Sequence, residues 1–274
     1  MVTTLNLFIT CGKEYSKGMG MEVEITIIIA CAFIYLIAGI IDSIAGGGGL
    51  ITTPALLLFN IPPHIALGSN KFASSFGSFA AIIYFLRNKY VALYLVPIGF
   101  CTAFLGGAIG SWLSLQIEQE LMGQIMVILL PIVLLASLIS GRNLGSEKDV
   151  PIKTQKVYVA FISLLVGIYD GFFGPATGSF FILALNVLLG MNLVRASGTT
   201  KVLNFATNIG ALATFASGGV VLYALAIPCA IGSIIGNQIG SHLAVKIGAK
   251  VVRSFLYVAL GLLFTTLIYK YILS

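Results

Sequence analysis

Long uncharged runs set the rhythm of the chain. No acidic, basic or histidine residue falls between Lys89 and Glu118, Glu120 and Arg142, Asp170 and Arg195, or Lys201 and His242. Each run matches or exceeds the roughly 20 apolar residues that one membrane-crossing helix needs. The apolar/polar alternation in segments of about ten residues that marks a membrane β-barrel is absent. Apolar segments are predicted near 23–45, 47–61, 67–86, 90–113 and 121–140, and again near 157–173, 175–191, 197–216, 222–243 and 252–272. The second segment of each set is short and stands at a glycine-rich break. The pattern predicts an all-α, polytopic helical membrane protein with about 8–10 membrane segments, some of them broken or short.

Composition narrows the class further. Of 274 residues 58% are hydrophobic and 9% charged, and the mean hydropathy is +1.05. Soluble domains carry about 25% charged residues, so this chain relies on the bilayer as its solvent. Backbone groups in lipid must then be satisfied internally, by helices or a closed barrel. The net charge of +6 fits basic loops facing anionic lipid on the cytoplasmic side better than a nucleic-acid partner. Cys11, Cys31, Cys101 and Cys229 show neither a disulfide framework nor metal-ligand spacing. His64 and His242 bracket no metal pattern, and no cofactor motif is present.

The chain repeats itself. "AGIIDSIAGGGGLITTPALLL" (Ala38–Leu58) resembles "VGIYDGFFGPATGSFFILALN" (Val166–Asn186); "LGSNK" (Leu67–Lys71) matches "SGTTK" (Ser197–Lys201); "GGAIGSWL" (Gly106–Leu113) matches "GNQIGSHL" (Gly236–Leu243). Residues 1–21 read as a flexible tail, 22–141 as repeat one, 142–156 as a cytoplasmic linker and 157–274 as repeat two. Equivalent loops differ in charge: Glu22 and Glu24 against Lys153 and Lys156, Arg87 and Lys89 against Ser217 and Gly219, Glu118 and Glu120 against Lys250 and Arg253. Because Lys and Arg favour the cytoplasmic side, the two copies are expected to be inserted upside down relative to each other. Lys13 and Lys17 argue mildly the other way.

Four groups of residues carry the candidate chemistry. Lys71 and Lys201 hold equivalent places at the edge of long apolar runs. Either they snorkel to the headgroups, or a cation is wanted twice at a shared internal site. Ser69, Asn70, Thr199 and Thr200 precede them. As helix N-caps they would place each lysine beside the positive end of a helix dipole, a corner suited to an anion. The runs Gly46, Gly47, Gly48, Gly49 and Gly174, Pro175, Thr177, Gly178 would break a helix, and matching breaks in two halves point to a transporter's binding site. Gly106, Gly110, Gly236 and Gly240 read instead as helix-packing positions. Asp42 and Asp170 stand just before the breaks, where they could cap the next half-helix, pair with a lysine or carry a proton.

At these residues the chain resembles the sulfite exporter TauE/SafE family. "DSIAGGGGLITTPALLL", "PPHIALGSNK", "YDGFFGPATGSF" and "RASGTTKVLNFATNIGA" are similar to its signature segments, over about Ile25 to Leu273. The resemblance implies a multi-pass transporter in the plasma (inner) membrane that exports small anionic sulfur compounds such as sulfite or organosulfonates. Ala176 departs from the motif, which often has glycine there. The expectation is a secondary carrier whose partners are a small anion and the lipid bilayer, with a homo-oligomer allowed. The alternatives are an anion channel, a non-transporting scaffold or an intramembrane enzyme. Two intramembrane aspartates suggest a protease, but the partner motif Gly-x-Gly-Asp is missing.

Overall fold

The computed structural model describes residues 24–140 and 150–247. The expected tail, most of the linker and the tenth apolar segment (252–272) lie outside the described residues, as do Lys13, Lys17, Glu22, Lys250 and Arg253. Within them the chain forms nine helices and no strand: α1 (Ile25–Ala45), α2 (Gly49–Leu58), α3 (Pro63–Arg87), α4 (Val96–Leu115), α5 (Gln119–Ser140), α6 (Ile152–Phe172), α7 (Thr177–Leu189), α8 (Leu193–Ser217) and α9 (Tyr223–Ile247). Helix α6 starts ahead of the expected 157, so Lys153 and Lys156 belong to its first turns. The short second helices of 10 and 13 residues reach only about 15–20 Å at 1.5 Å per residue. Neither crosses a hydrocarbon core of about 30 Å.

Four of these helices, α1, α4, α6 and α9, are long and apolar enough to cross a membrane. They wear their apolar side chains outward in helical stripes, such as Ile25, Ile29 and Phe33 on α1 and Ile231, Ile235 and Ile239 on α9. Exposed stripes of this kind suit a surface that faces lipid. Helices α3 and α8 are 25 residues each but too polar to qualify, and they bury that polarity against each other and against α4 and α9. The bundle is thus apolar outside and polar at its centre.

Contacts between helices survive exchange of the halves. Helix α4 packs on α6 and α8 as α9 packs on α1 and α3. Gly106 and Gly110 lie against the carbonyls of Leu164 and Ile168, while Gly236 and Gly240 lie against those of Leu36 and Ile40. These are the close backbone approaches expected of small residues four apart. Backbone conformation repeats too: positive φ occurs at Asn60 and Gly190, at Lys89 and Gly219, and at Gly46 and Gly174. The first two pairs are 130 positions apart, the interval that also separates Lys71 from Lys201. The two halves are copies in structure as well as in sequence.

Candidate functional site

The breaks come first, because they shape everything around them. Helix α1 ends at Gly46, whose φ of 72° is left-handed and whose N–H bonds to the Asp42 carbonyl at 2.9 Å. Helix α6 ends at Phe172, and Ala176 adopts φ 62° before α7 begins. The two breaks abut. Ser179 donates its backbone N–H to the Gly46 carbonyl at 3.0 Å and its hydroxyl to the Ala45 carbonyl at 2.7 Å. A Cβ on Gly46 would stand 2.2 Å from the Gly178 carbonyl carbon, and one on Gly178 would stand 2.6 Å from Gly46 Cα. Four helix ends, of α1, α2, α6 and α7, therefore meet at one point, held by glycine on both sides.

Both aspartates serve the helix that follows the break. Asp42 Oδ1 accepts the Gly48 N–H at 3.2 Å, and Asp170 Oδ1 accepts the Thr177 hydroxyl at 2.6 Å. Their remaining oxygens reach across the pseudo-symmetry. Lys71 of the first half lies 2.7 Å from Asp170 of the second, and Lys201 of the second half pairs with Asp42 of the first. Lys201 also donates to the Asp42 carbonyl at 2.7 Å. The lysines are 2% and 0% exposed, so neither snorkels to a surface. An ammonium this deep needs a partner close by, and each finds it in the opposite half.

Three expectations are corrected by this arrangement. The lysines do not stand at helix starts: Pro63, with its pre-set φ and missing N–H, opens α3, and the Asn192 side chain caps α8 by accepting the Arg195 N–H at 2.9 Å. Each lysine is thus the ninth residue of a 25-residue helix. Ser69 and Thr199 are not caps beside a ligand; they accept the backbone N–H of Leu222 and of Ala92, each at 3.0 Å, fixing the loop of the opposite half. Nor does the site carry excess positive charge, since two carboxylates balance two ammonium groups. At the starts of α2 and α7, the N–H groups of Gly48 and Ser179 are bonded, to Asp42 and to the Gly46 carbonyl.

A cavity of about 40 Å³ opens at the meeting point. A water needs at least about 10–15 Å³ on this measure, so the space holds about three. Of the candidates, Asp42, Gly46, Gly48, Gly49, Asn70, Lys71, Asp170, Gly174, Thr177 and Gly178 line it. Lys201, Ser69, Thr199, Thr200, Gly47 and Pro175 stand behind the wall. Thr200 buries a hydroxyl with no hydrogen bond among the described residues, and the Pro175 carbonyl accepts from Tyr169. Asn70 turns its carbonyl oxygen to the hydroxyls of Tyr35 at 2.8 Å and Thr52 at 2.9 Å, which leaves its NH₂ as the donor end. No group of three or more His, Cys, Asp or Glu residues that could hold a metal occurs among the described residues.

Sequence reasoning missed half of the lining. Ser74 and Ser78 on α3, Asn204 and Asn208 on α8, and Ser233 and Asn237 on α9 complete the wall together with Tyr35, Ala38, Gly39 and Thr52. Asn204 keeps a buried side-chain oxygen with no hydrogen-bond partner among the described residues. A signal for these residues exists in the sequence. Ser74 and Ser78 are four apart, as are Asn204 and Asn208, and the pairs are separated by the same 130 positions as the lysines. Polar residues recurring at i and i+4 on a helix share a face, here the lysine's face.

Comparison with known proteins decides what this arrangement belongs to. The family model for sulfite exporter TauE/SafE matches residues 31–267. The chain belongs to the sulfite exporter TauE/SafE family. Its relatives include a probable membrane transporter protein, YfcA, of Escherichia coli K12, 37% identical over 241 residues that cover 86% of this chain and 88% of the relative. Another, from Haemophilus influenzae, is 34% identical over 92% of this chain and 97% of its own. A third, ORF9 of a Sinorhizobium species, is 38% identical over 83% and 88%. No solved structure matches the chain. As a TauE/SafE protein with several apolar helices it is a multi-pass membrane transporter, and its matching breaks, lysines and aspartates all lie within the matched span.

Proposed function

We propose that this transporter is a secondary carrier for small oxoanions, exporting sulfite or organosulfonate-like compounds across the plasma (inner) membrane rather than catalysing a reaction. The observation that carries the reading is the polar central cavity where the broken helices of the two halves abut, with the Lys71 ammonium on its wall. Hydroxyls and carboxamides supply the rest of that wall, groups suited to the three oxygens of a sulfite or sulfonate head. Lys201 acts from behind, holding Asp42 and with it the start of α2. Inserted upside down relative to each other, the two halves would give alternating access by rocking one repeat against the other. A space for only about three waters favours a carrier over a channel, which needs a continuous path.

Uptake of labelled sulfite, methanesulfonate and sulfate into proteoliposomes tests the reading. Sulfite and methanesulfonate are expected to accumulate and to exchange in counterflow, and Lys71→Met is expected to lower uptake by more than tenfold. Undiminished uptake by that variant overturns the anion site. Conductance without counterflow would make the protein a channel.

A further inference from the structure

The balance of charge in the cavity has a consequence for energy coupling. Empty, the site is neutral, with Lys71 held by Asp170 and Lys201 held by Asp42. A monoanion that simply joined these groups would leave one uncompensated negative charge among deeply buried side chains, which is costly. The structure offers one way out. Lys71 and Asp170 both line the cavity, whereas Lys201 does not, and Lys201 is tied to a backbone carbonyl as well as to its carboxylate. The pair that an incoming anion can open is Lys71–Asp170.

We propose that the anion takes the place of Asp170 at Lys71 and that Asp170 takes up one proton as it is displaced, so that each monoanion crosses with one proton and transport is electroneutral. This rests on the carrier reading above. In the loaded state Lys71 faces the anion, and the neutral carboxyl of Asp170 stays against the Thr177 hydroxyl, now able to donate as well as accept. Release on the other side reverses both transfers: the anion leaves, the carboxyl gives up its proton, and the ion pair closes again. No covalent bond other than that O–H is made or broken. The net direction follows the product of anion and proton concentrations on the two sides. A cytoplasmic load of anion therefore leaves whenever it outweighs the pH gradient, with no contribution from membrane potential.

The surroundings of Asp170 leave the exchange to this pair. Of the helices packed against α6, α7 carries no ionisable side chain and α4 only the exposed Cys101. Helix α8 brings Lys201, committed to Asp42, and Arg195, stacked over the Tyr94 ring at 5.8 Å. Beside Asp170, the Tyr169 hydroxyl is engaged with the Pro175 carbonyl. Across the cavity stand Asp42, held by Lys201, and Tyr35, bonded to Asn70.

The test uses the full-length protein in liposomes with methanesulfonate, which stays ionised and carries no proton of its own. A pH gradient of one unit, acid outside and with potential clamped, is expected to drive about tenfold accumulation, with an internal dye reporting one proton per anion. An imposed potential of 100 mV is expected to leave accumulation unchanged, whereas a single uncompensated charge would shift it about fifty-fold, the equivalent of about 2.3 kcal/mol. Asp170→Asn, which has no titratable group, is expected to reverse the pattern, responding to potential and not to pH. Accumulation by the unaltered protein that follows potential and ignores pH overturns the coupling while leaving the carrier intact, even if the variant cannot be purified. Absence of any flux overturns the carrier reading and the coupling with it.

Discussion

Adding one methyl group at three glycines separates backbone strain from steric exclusion at the crossing of the breaks. Gly219 has φ +70°, and nothing lies within 4 Å of the point where a Cβ would stand. Alanine there meets only the left-handed penalty of about 1–2 kcal/mol, offset by about 0.4–1 kcal/mol from a less flexible unfolded chain. A net loss of up to about 1.6 kcal/mol is expected. Gly178 has ordinary helical backbone, but its added methyl would lie 2.6 Å from Gly46 Cα. Overpacking of this kind costs about 1–3 kcal/mol, towards the upper end because the obstacle is backbone. Gly46 combines both: φ +72° and 2.2 Å to the Gly178 carbonyl carbon, for a loss of about 2–5 kcal/mol. Thermal unfolding of purified protein in detergent, followed through the Trp112 fluorescence, gives the order. Gly219→Ala should melt nearest the unaltered protein, Gly178→Ala lower and Gly46→Ala lowest. If Gly46→Ala proves no less stable than Gly219→Ala, the two breaks do not touch, and the geometry of the cavity is wrong.

Three further outcomes are expected. Lys71→Met strands Asp170 without its cation and should cost about 3–5 kcal/mol; adding Asp170→Asn should recover part of that loss, and strict additivity in thermal melts would deny the pairing. Ala176→Gly relieves a left-handed alanine and should raise the melting temperature, by up to about 1 kcal/mol in stability; a fall would show that Ala176 is unstrained. Ser69→Ala and Thr199→Ala each orphan a buried backbone N–H, of Leu222 and of Ala92, so each should lose about 1–3 kcal/mol without changing which anions are carried. A change in anion selectivity at either position would return these hydroxyls to the binding site.

The amino-acid sequence by itself determined the solvent, the repeat and the breaks. Hydropathy is a local sum over each segment, and a Gly-rich or Gly-Pro interruption stops a helix through its own backbone, so both are legible without knowing what lies nearby. The same locality explains the errors. "GSNK" and "SGTTK" have the composition of helix starts, yet Pro63 and Asn192 open those helices earlier, and packing into a polar centre carries α3 and α8 through their serines and asparagines. Charge pairing was decided only in three dimensions. Lys71 and Asp170 are 99 positions apart (71 to 170), and Lys201 and Asp42 are 159 apart; no spacing along the chain marks either couple. They meet because the two breaks interlock across the pseudo-symmetry, and a buried ammonium is stable there only beside the carboxylate that the other half delivers. That crossing, rather than any one motif, turned two lysines that suggested a positive corner into a neutral site.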